Sequence, residues 1–296
     1  MNRIRALQEA AQEVEAGLSS TDQLPEWISH HIGDDTVLDL AGGRWDLGGL
    51  AIEPFHLGGI TVDLSPTRQL LAMLLVAVLL PLILIPIARV IRSRGVERAP
   101  RGFANSIEGL ILYFRDEVVR TNIGHGADAY TPFILTLFFF VLGMNLIGLT
   151  PLGITPTANL SVTAALATIS FIVTEISGFR ALGPAGYAKT IFFLPAGVPT
   201  VMKPLMLAIL TPVELLGKLT KPFALAVRLL ANMTAGHTLI LAIMGMIFVL
   251  QSYLMGVGSV AMASVLMILE LFVAFLQAYI FAMLTSVFIG LIRHAH

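Results

Sequence analysis

Arg228 lies in an apolar tract, PFALAVRLLANMTAGH at residues 222–237, with no other charge beside it except His237 when protonated. A guanidinium keeps its charge at any physiological pH. Placing one in hydrocarbon costs at least ~2.5–3.5 kcal/mol on insertion scales, so an intramembrane arginine is a functional-site hypothesis by default. The rest of the chain has to fold as a housing for that charge.

The composition supports a membrane setting. Of 296 residues, 56% are apolar and only 12% charged, too few charges for a soluble domain of this size. Residues 1–69 hold eleven of the nineteen acids, with Arg3, Arg5, Arg44 and Arg68 as their only bases. From 131 to 296 the only acids are Glu175, Glu214 and Glu270. The expected fold class is an all-α polytopic membrane protein, with a polar, acidic arm at 1–66 and a membrane domain at 67–296. Cysteine is absent, which excludes disulfides, thiolate metal sites and thiol catalysis. His30, His31 and His56 lack the spacing of helical ligand pairs, so no metal and no cofactor are expected.

Residues 1–30 contain no short apolar core of a cleavable signal. A short helix is expected at 3–16, then turns, with a weakly alternating strand at 59–64. Trp27 and Trp45 suit either a bilayer surface or a solvated arm. Ser65 and Pro66 read as a helix start, a capping hydroxyl followed by proline in the first turn. The first span is expected at 69–88, kinked by Pro81 and Pro86 and closed by Arg89, Arg92, Arg94, Arg98 and Arg101.

Phe103, Ile107, Leu110, Ile111, Phe114 and Val118 form a helical stripe, suited to a helix lying on the membrane surface or on a partner. A second span is expected at 131–149 and a third at 160–179, with Glu175 solvated near its end. Residues 180–204 read as a proline- and glycine-rich connection. Residues 205–249 read as a helix interrupted near Pro212 and Pro222, and 257–292 as a proline-free helix, with a turn at 251–258. The last helix alone would reach ~54 Å at ~1.5 Å per residue. The hydrocarbon core is only ~30 Å thick, so the hairpin at about 203–293 must tilt steeply or run partly along the membrane. Segments 89–120 and 180–221 and the tail at Arg293 are basic, whereas the arm and the loops near 151–158 and 251–258 are not. Five crossings with the N-terminus outside and the C-terminus inside satisfy the positive-inside rule.

At ~100° per residue, Ala224, Asn232 and Ala235 share the face of Arg228, and His237 lies opposite. Small side chains on that face let another helix approach closely. Glu270, Ala274 and Gln277 form one stripe on the last helix, which a hairpin would bring within reach of the Arg228 stripe. A carboxylate as deep as Glu270 has to be protonated, paired or hydrated. Glu214 reads as a surface pair with Lys218 four residues on. One fixed cation, one imidazole and one carboxyl inside a bilayer suit ion translocation. No Ser–His–acid grouping or phosphate-cradling glycine loop is visible.

These residues carry a resemblance. The chain resembles subunit a of the rotary F-type ATP synthase over roughly 54–293. The likeness rests on Asn105-Ser-Ile107-Glu108, Met144-Asn145-Leu146 with Leu149 and Pro151, Pro212-Val213-Glu214, and Lys221-Pro222. Its most specific parts are Arg228-Leu229-x-x-Asn232-Met233-x-Ala235-Gly236 and Gln277-Ala278-x-Ile280-Phe281.

The resemblance implies an ion-translocating stator beside a rotating ring of c subunits, held by peripheral-stalk b subunits within the ATP synthase complex, in a bacterial inner membrane. It implies two aqueous half-channels, with Arg228 as the essential charge between them. Asn232 and Gln277 would position it, and His237, Glu270 and Glu214 would serve the proton path or its positioning. Many bacterial members carry Glu and His at 237 and 270, the reverse of this chain, and Ala231 replaces a frequent glycine. The resemblance implies no bound nucleotide and no nucleic-acid partner. The rival reading, a stand-alone secondary ion transporter, calls for inverted repeats, and none is visible.

Overall fold

The computed structural model describes residues 37–40, 43–46, 55–57, 60–62, 67–93, 102–150, 154–192, 202–250 and 253–294. The expected helix at 3–16, Trp27, His30, His31, Ser65 and Pro66 lie outside these residues. In the arm, β1 (Val37–Leu40) pairs antiparallel with β2 (Gly43–Asp46), and β3 (Phe55–Leu57) with β4 (Ile60–Val62). The strand expected at 59–64 is thus β4, in a hairpin with β3.

Beyond the arm the described secondary structure is entirely helical: α1 (Arg68–Ser93), α2 (Phe103–Tyr113), α3 (Thr131–Gly148), α4 (Leu160–Ile191), α5 (Lys203–Leu250) and α6 (Tyr253–Arg293). Among the described residues, five helices are long and apolar enough to span a membrane, namely α1, α3, α4 and most of α5 and α6. The all-α polytopic class therefore holds.

Several expectations need correction. Thr67 Oγ1 accepts the Leu70 N–H at 3.3 Å at the start of α1. The helix then runs through Pro81 and Pro86 to Ser93, past the expected end. Helix α4 continues beyond 179 and breaks only at Gly183, whose φ of 69° and ψ of 174° belong to a region open almost only to glycine. Pro184 then sits in the first turn of the resumed helix, where its missing N–H is not needed. Pro212 and Pro222 do not interrupt α5, which stays helical over 48 residues. The expected turn at 251–258 is largely helix, since α6 begins at Tyr253. At ~1.5 Å per residue both last helices exceed the ~30 Å hydrocarbon core about twofold.

The chain divides into two compact units. One comprises Met1–Leu79, Leu142–Asn159 and Leu230–Leu276. Its described core includes buried polar side chains. Asn145, fully buried, donates from Nδ2 to the Ala274 carbonyl at 3.2 Å and accepts the Thr157 hydroxyl at 2.8 Å. Thr155 packs against Gly148 so closely that a Cβ there would collide with its side chain.

The second unit comprises Leu80–Val141, Leu160–Leu229 and Gln277–His296. Here α2 passes into a π-helical stretch, Phe114–Arg120, and a last turn, Thr121–Ile123. The Val118 carbonyl in this stretch accepts side-chain hydrogen bonds from Asn122 Nδ2 at 2.6 Å and Ser286 Oγ at 3.1 Å. Phe114, Val118, Val119 and Ile123 are buried, and the Phe114 ring lies 4.4 Å from Phe138 and 5.8 Å from Tyr279. The amphipathic stripe thus packs its C-terminal half on α3 and α6 of its own chain. Its N-terminal end, led by Phe103, stays exposed.

Candidate functional site

The first unit brings His237 and Glu270 together. Helices α5 and α6 are separated by two residues and run antiparallel here, so Gly236 and His237 face Glu270. Gly236 makes the approach possible: a Cβ on it would lie 2.6 Å from Glu270 Oε1. His237 Nε2 lies 3.7 Å from Glu270 Oε1, too long for a hydrogen bond. The same nitrogen lies 2.5 Å from Thr155 Oγ1. Glu270 is only 5% exposed, and neither carboxyl oxygen has a hydrogen-bond partner among the described residues. A buried, unpartnered carboxyl beside an imidazole can exchange a proton with it at little cost in movement.

Arg228 belongs to the second unit and is exposed. Ala224 on its face is exposed too. No carboxylate among the described residues pairs with Arg228. Glu214 and Lys221 lie fourteen and seven residues before it, close to the same face of α5, and both are exposed. Asn232 and Ala235, in the first unit, are exposed as well. Gln277 is 2% exposed in the second unit. The structure thus sets Glu270 against Gly236 and His237 of α5.

Two readings of the acids change. Lys218 does not pair with Glu214. It is nearly buried and pairs with Glu175 at 3.3 Å, donates to Thr190 Oγ1 at 3.2 Å, and stacks 4.6 Å from the Tyr187 ring centroid. Glu175 is accordingly not a freely solvated end residue; it also accepts the Tyr187 hydroxyl. Thr155 was not legible as a site residue, and Gly236 stood out only as part of the motif that carries the resemblance. The one available signal for Thr155 was a charge-free loop rich in threonine, between two spans.

The fold and site define a polytopic helical membrane protein with an ionisable pair held inside a helical hairpin. A family model described as ATP synthase A chain matches residues 70–290. The protein called ATP synthase subunit a of Anaeromyxobacter dehalogenans (strain 2CP-C) is 43% identical over 277 residues, covering 90% of this chain and 70% of that one. The subunit a of Chloroherpeton thalassium is 42% identical, covering 88% and 75%. ATP synthase subunit a 2 of Prosthecochloris aestuarii is 38% identical, covering 96% and 83%. The chain belongs to the ATP synthase A chain family.

Proposed function

We propose that this chain is the fixed, ion-translocating subunit of the membrane sector of ATP synthase and works with the rest of that complex. In this reading it faces a rotating ring of c subunits and is anchored by the b subunits of the peripheral stalk. Two half-channels open to opposite sides, and Arg228 stands between them, attracting the ring's ionised carboxylate and blocking a direct leak. Asn232 and Gln277 position the arginine. His237 and Glu270 carry protons in one half-channel, and Glu214 serves the other.

The observation that carries the reading is the exposed Arg228 beside small side chains with no partner carboxylate among the described residues. An unpaired guanidinium at membrane depth calls for a counter-charge from outside the chain. One charge crossing 100 mV is worth only ~2.3 kcal/mol, so several ions are needed per ATP, which favours a ring and stator over a single-stroke carrier. The proposed location is a bacterial inner membrane, with the 1–66 arm outside and the C-terminus cytoplasmic.

The test is Arg228→Ala in the assembled complex. ATP-driven acidification of inverted vesicles should be lost while the subunits still co-purify. Arg228→Lys should fail largely as well, because an ammonium lacks the planar fork and can lose its proton when desolvated. Near-normal pumping by Arg228→Ala would overturn the reading.

A further inference from the structure

A cavity of about 220 Å³ lies between α4, α5 and α6 inside the second unit. Its polar wall carries Glu175, Thr190, Glu214, Lys218 and Lys221, and α6 contributes apolar side chains, Phe288, Leu291 and Ile292. Lys218 lies one helical turn after Glu214, the spacing at which a lysine normally reaches a glutamate on the same helix. Here it does not. Glu175, reaching across from α4, holds Lys218 instead, and Tyr187 and Thr190, beyond the Gly183 break, hold the same pair from the other side. Glu214 is left exposed, with no ion pair among the described residues.

We propose that Glu175 is a positioning residue for proton transfer: by holding Lys218, it leaves Glu214 as an uncommitted carboxylate on the cavity wall, free to take up and release protons. This inference rests on the ion-translocating reading and adds a part to it. A lysine locked onto Glu214 would favour its ionised form and make it a poor proton acceptor. The charged and titratable groups facing Glu214 across the cavity are Lys218 and Lys221 from α5 and Glu175 from α4, with Tyr187 behind the ion pair. Lys221 also lies near the Phe288 ring, 5.5 Å from its centroid, which holds its ammonium toward α6. The lysine one turn from Glu214 is therefore the one that has to be restrained, and Glu175 restrains it.

The experiment is ATP-driven acidification of inverted vesicles carrying the complete complex, measured as a function of external pH. Glu175→Gln keeps the shape and the Tyr187 contact but frees Lys218 to turn to Glu214. The alkaline limit of pumping should move to lower pH by about one unit, the small end of the shift an adjacent opposite charge produces. The double variant Glu175→Gln with Lys218→Met removes the competing cation, and its limit should return to the wild-type position. A purely structural role would lower the amount of assembled complex without moving the pH limit.

As a second measurement, zero-length carbodiimide coupling in the assembled complex should join Lys218 to Glu175 in the wild type and to Glu214 in Glu175→Gln. An unmoved limit in Glu175→Gln overturns the proposal, as does a double variant shifted like the single one. If Glu175→Gln fails to assemble, coupling of wild-type Lys218 to Glu214 rather than Glu175 overturns it too. Arg228→Ala vesicles run alongside separate the two questions: pumping there defeats the ion-translocating reading itself.

Discussion

His237 Nε2 and Glu270 Oε1 face each other at 3.7 Å across the α5–α6 hairpin, from positions 33 residues apart in the chain. The pair is one acid and one base in a site with almost no solvent, so moving the proton from one to the other changes the charge of both. Their proximity predicts that they act together in transport. Glu270→Gln should lower proton flux strongly, since it deletes the titratable group and keeps the shape. His237→Ala should lower it less, because water can occupy the space. The coupled pair also predicts that the double exchange, His237→Glu with Glu270→His, pumps better than the worse of the two single exchanges. Acidification rates of the three variants decide it. A double loss equal to the product of the single losses means the two residues act independently.

The acidic arm and the basic 89–120 segment predict opposite sides of the membrane. The chain has no cysteine, so single cysteines report cleanly. Cysteine at Asp46, in β2, should label only from outside in intact cells. Cysteine at Asp116, exposed in the π-helical stretch, should label only in inverted vesicles. Labelling of both from one side overturns the five-crossing orientation.

The sequence was most informative where physics is one-dimensional. A long apolar run demands a membrane helix whatever surrounds it, and Arg228 and Glu270 stand out because charge in such a run is costly. It was least informative where partners come from far along the chain. Local spacing paired Lys218 with Glu214, but a glutamate 43 residues earlier has the better geometry once α4 and α5 pack. Thr155 meets His237 across 82 residues, and nothing in a threonine's neighbours announces that. Proline misled in another way. Pro212 and Pro222 lack a backbone donor, yet α5 passes through both, as membrane helices can when other groups satisfy the freed carbonyls.

At the end of α2 the charges lie outside the spans. Arg115 hydrogen-bonds Asp116 at 2.9 Å, and Arg120 bridges Asp116 at 2.8 Å and Asp128 at 2.9 Å. The hydrogen bond from Arg115, aided by the charges of Arg115 and Arg120, holds the Asp116 carboxyl below its usual 3.8. The bond from Arg120 does the same for Asp128. A lowered folded-state value means the stabilisation is present above the usual carboxylate range and is lost as pH falls through the folded values. All these side chains are well exposed, so the effect is modest and weakened by salt. Hydrogen exchange of residues 114–130 should be flat from neutral pH down to about pH 4 after correction for intrinsic rates, then rise in acid. Arg120→Gln should flatten that acid rise. An unchanged rise would mean that other carboxylates govern the segment.

Three glycines make a graded test of close packing. At Gly290 of α6, an added Cβ would run into the Asn122 backbone carbonyl, which is fixed by the turn it belongs to. Backbone cannot rotate away as a side chain can, so α6 and the 121–123 turn would have to separate. Gly290→Ala should cost at least the ~1–3 kcal/mol typical of overpacking and should reduce the amount of complex that survives detergent extraction. At Gly236 the obstacle is the Glu270 carboxyl, with Oε1 at 2.6 Å and Cδ at 3.0 Å. That is the mobile end of a side chain, so Gly236→Ala should assemble. Its effect should fall on function, because Glu270 can clear the methyl only by leaving the place where it faces His237. Gly109 has nothing within 4 Å of the added atom, and Gly109→Ala should be neutral or slightly stabilising through the better helix propensity of alanine. The expected pattern is assembly lost at 290, proton flux lost at 236 with assembly kept, and both kept at 109. Full pumping by Gly236→Ala would show that the close approach of α5 to Glu270 is not needed for transport.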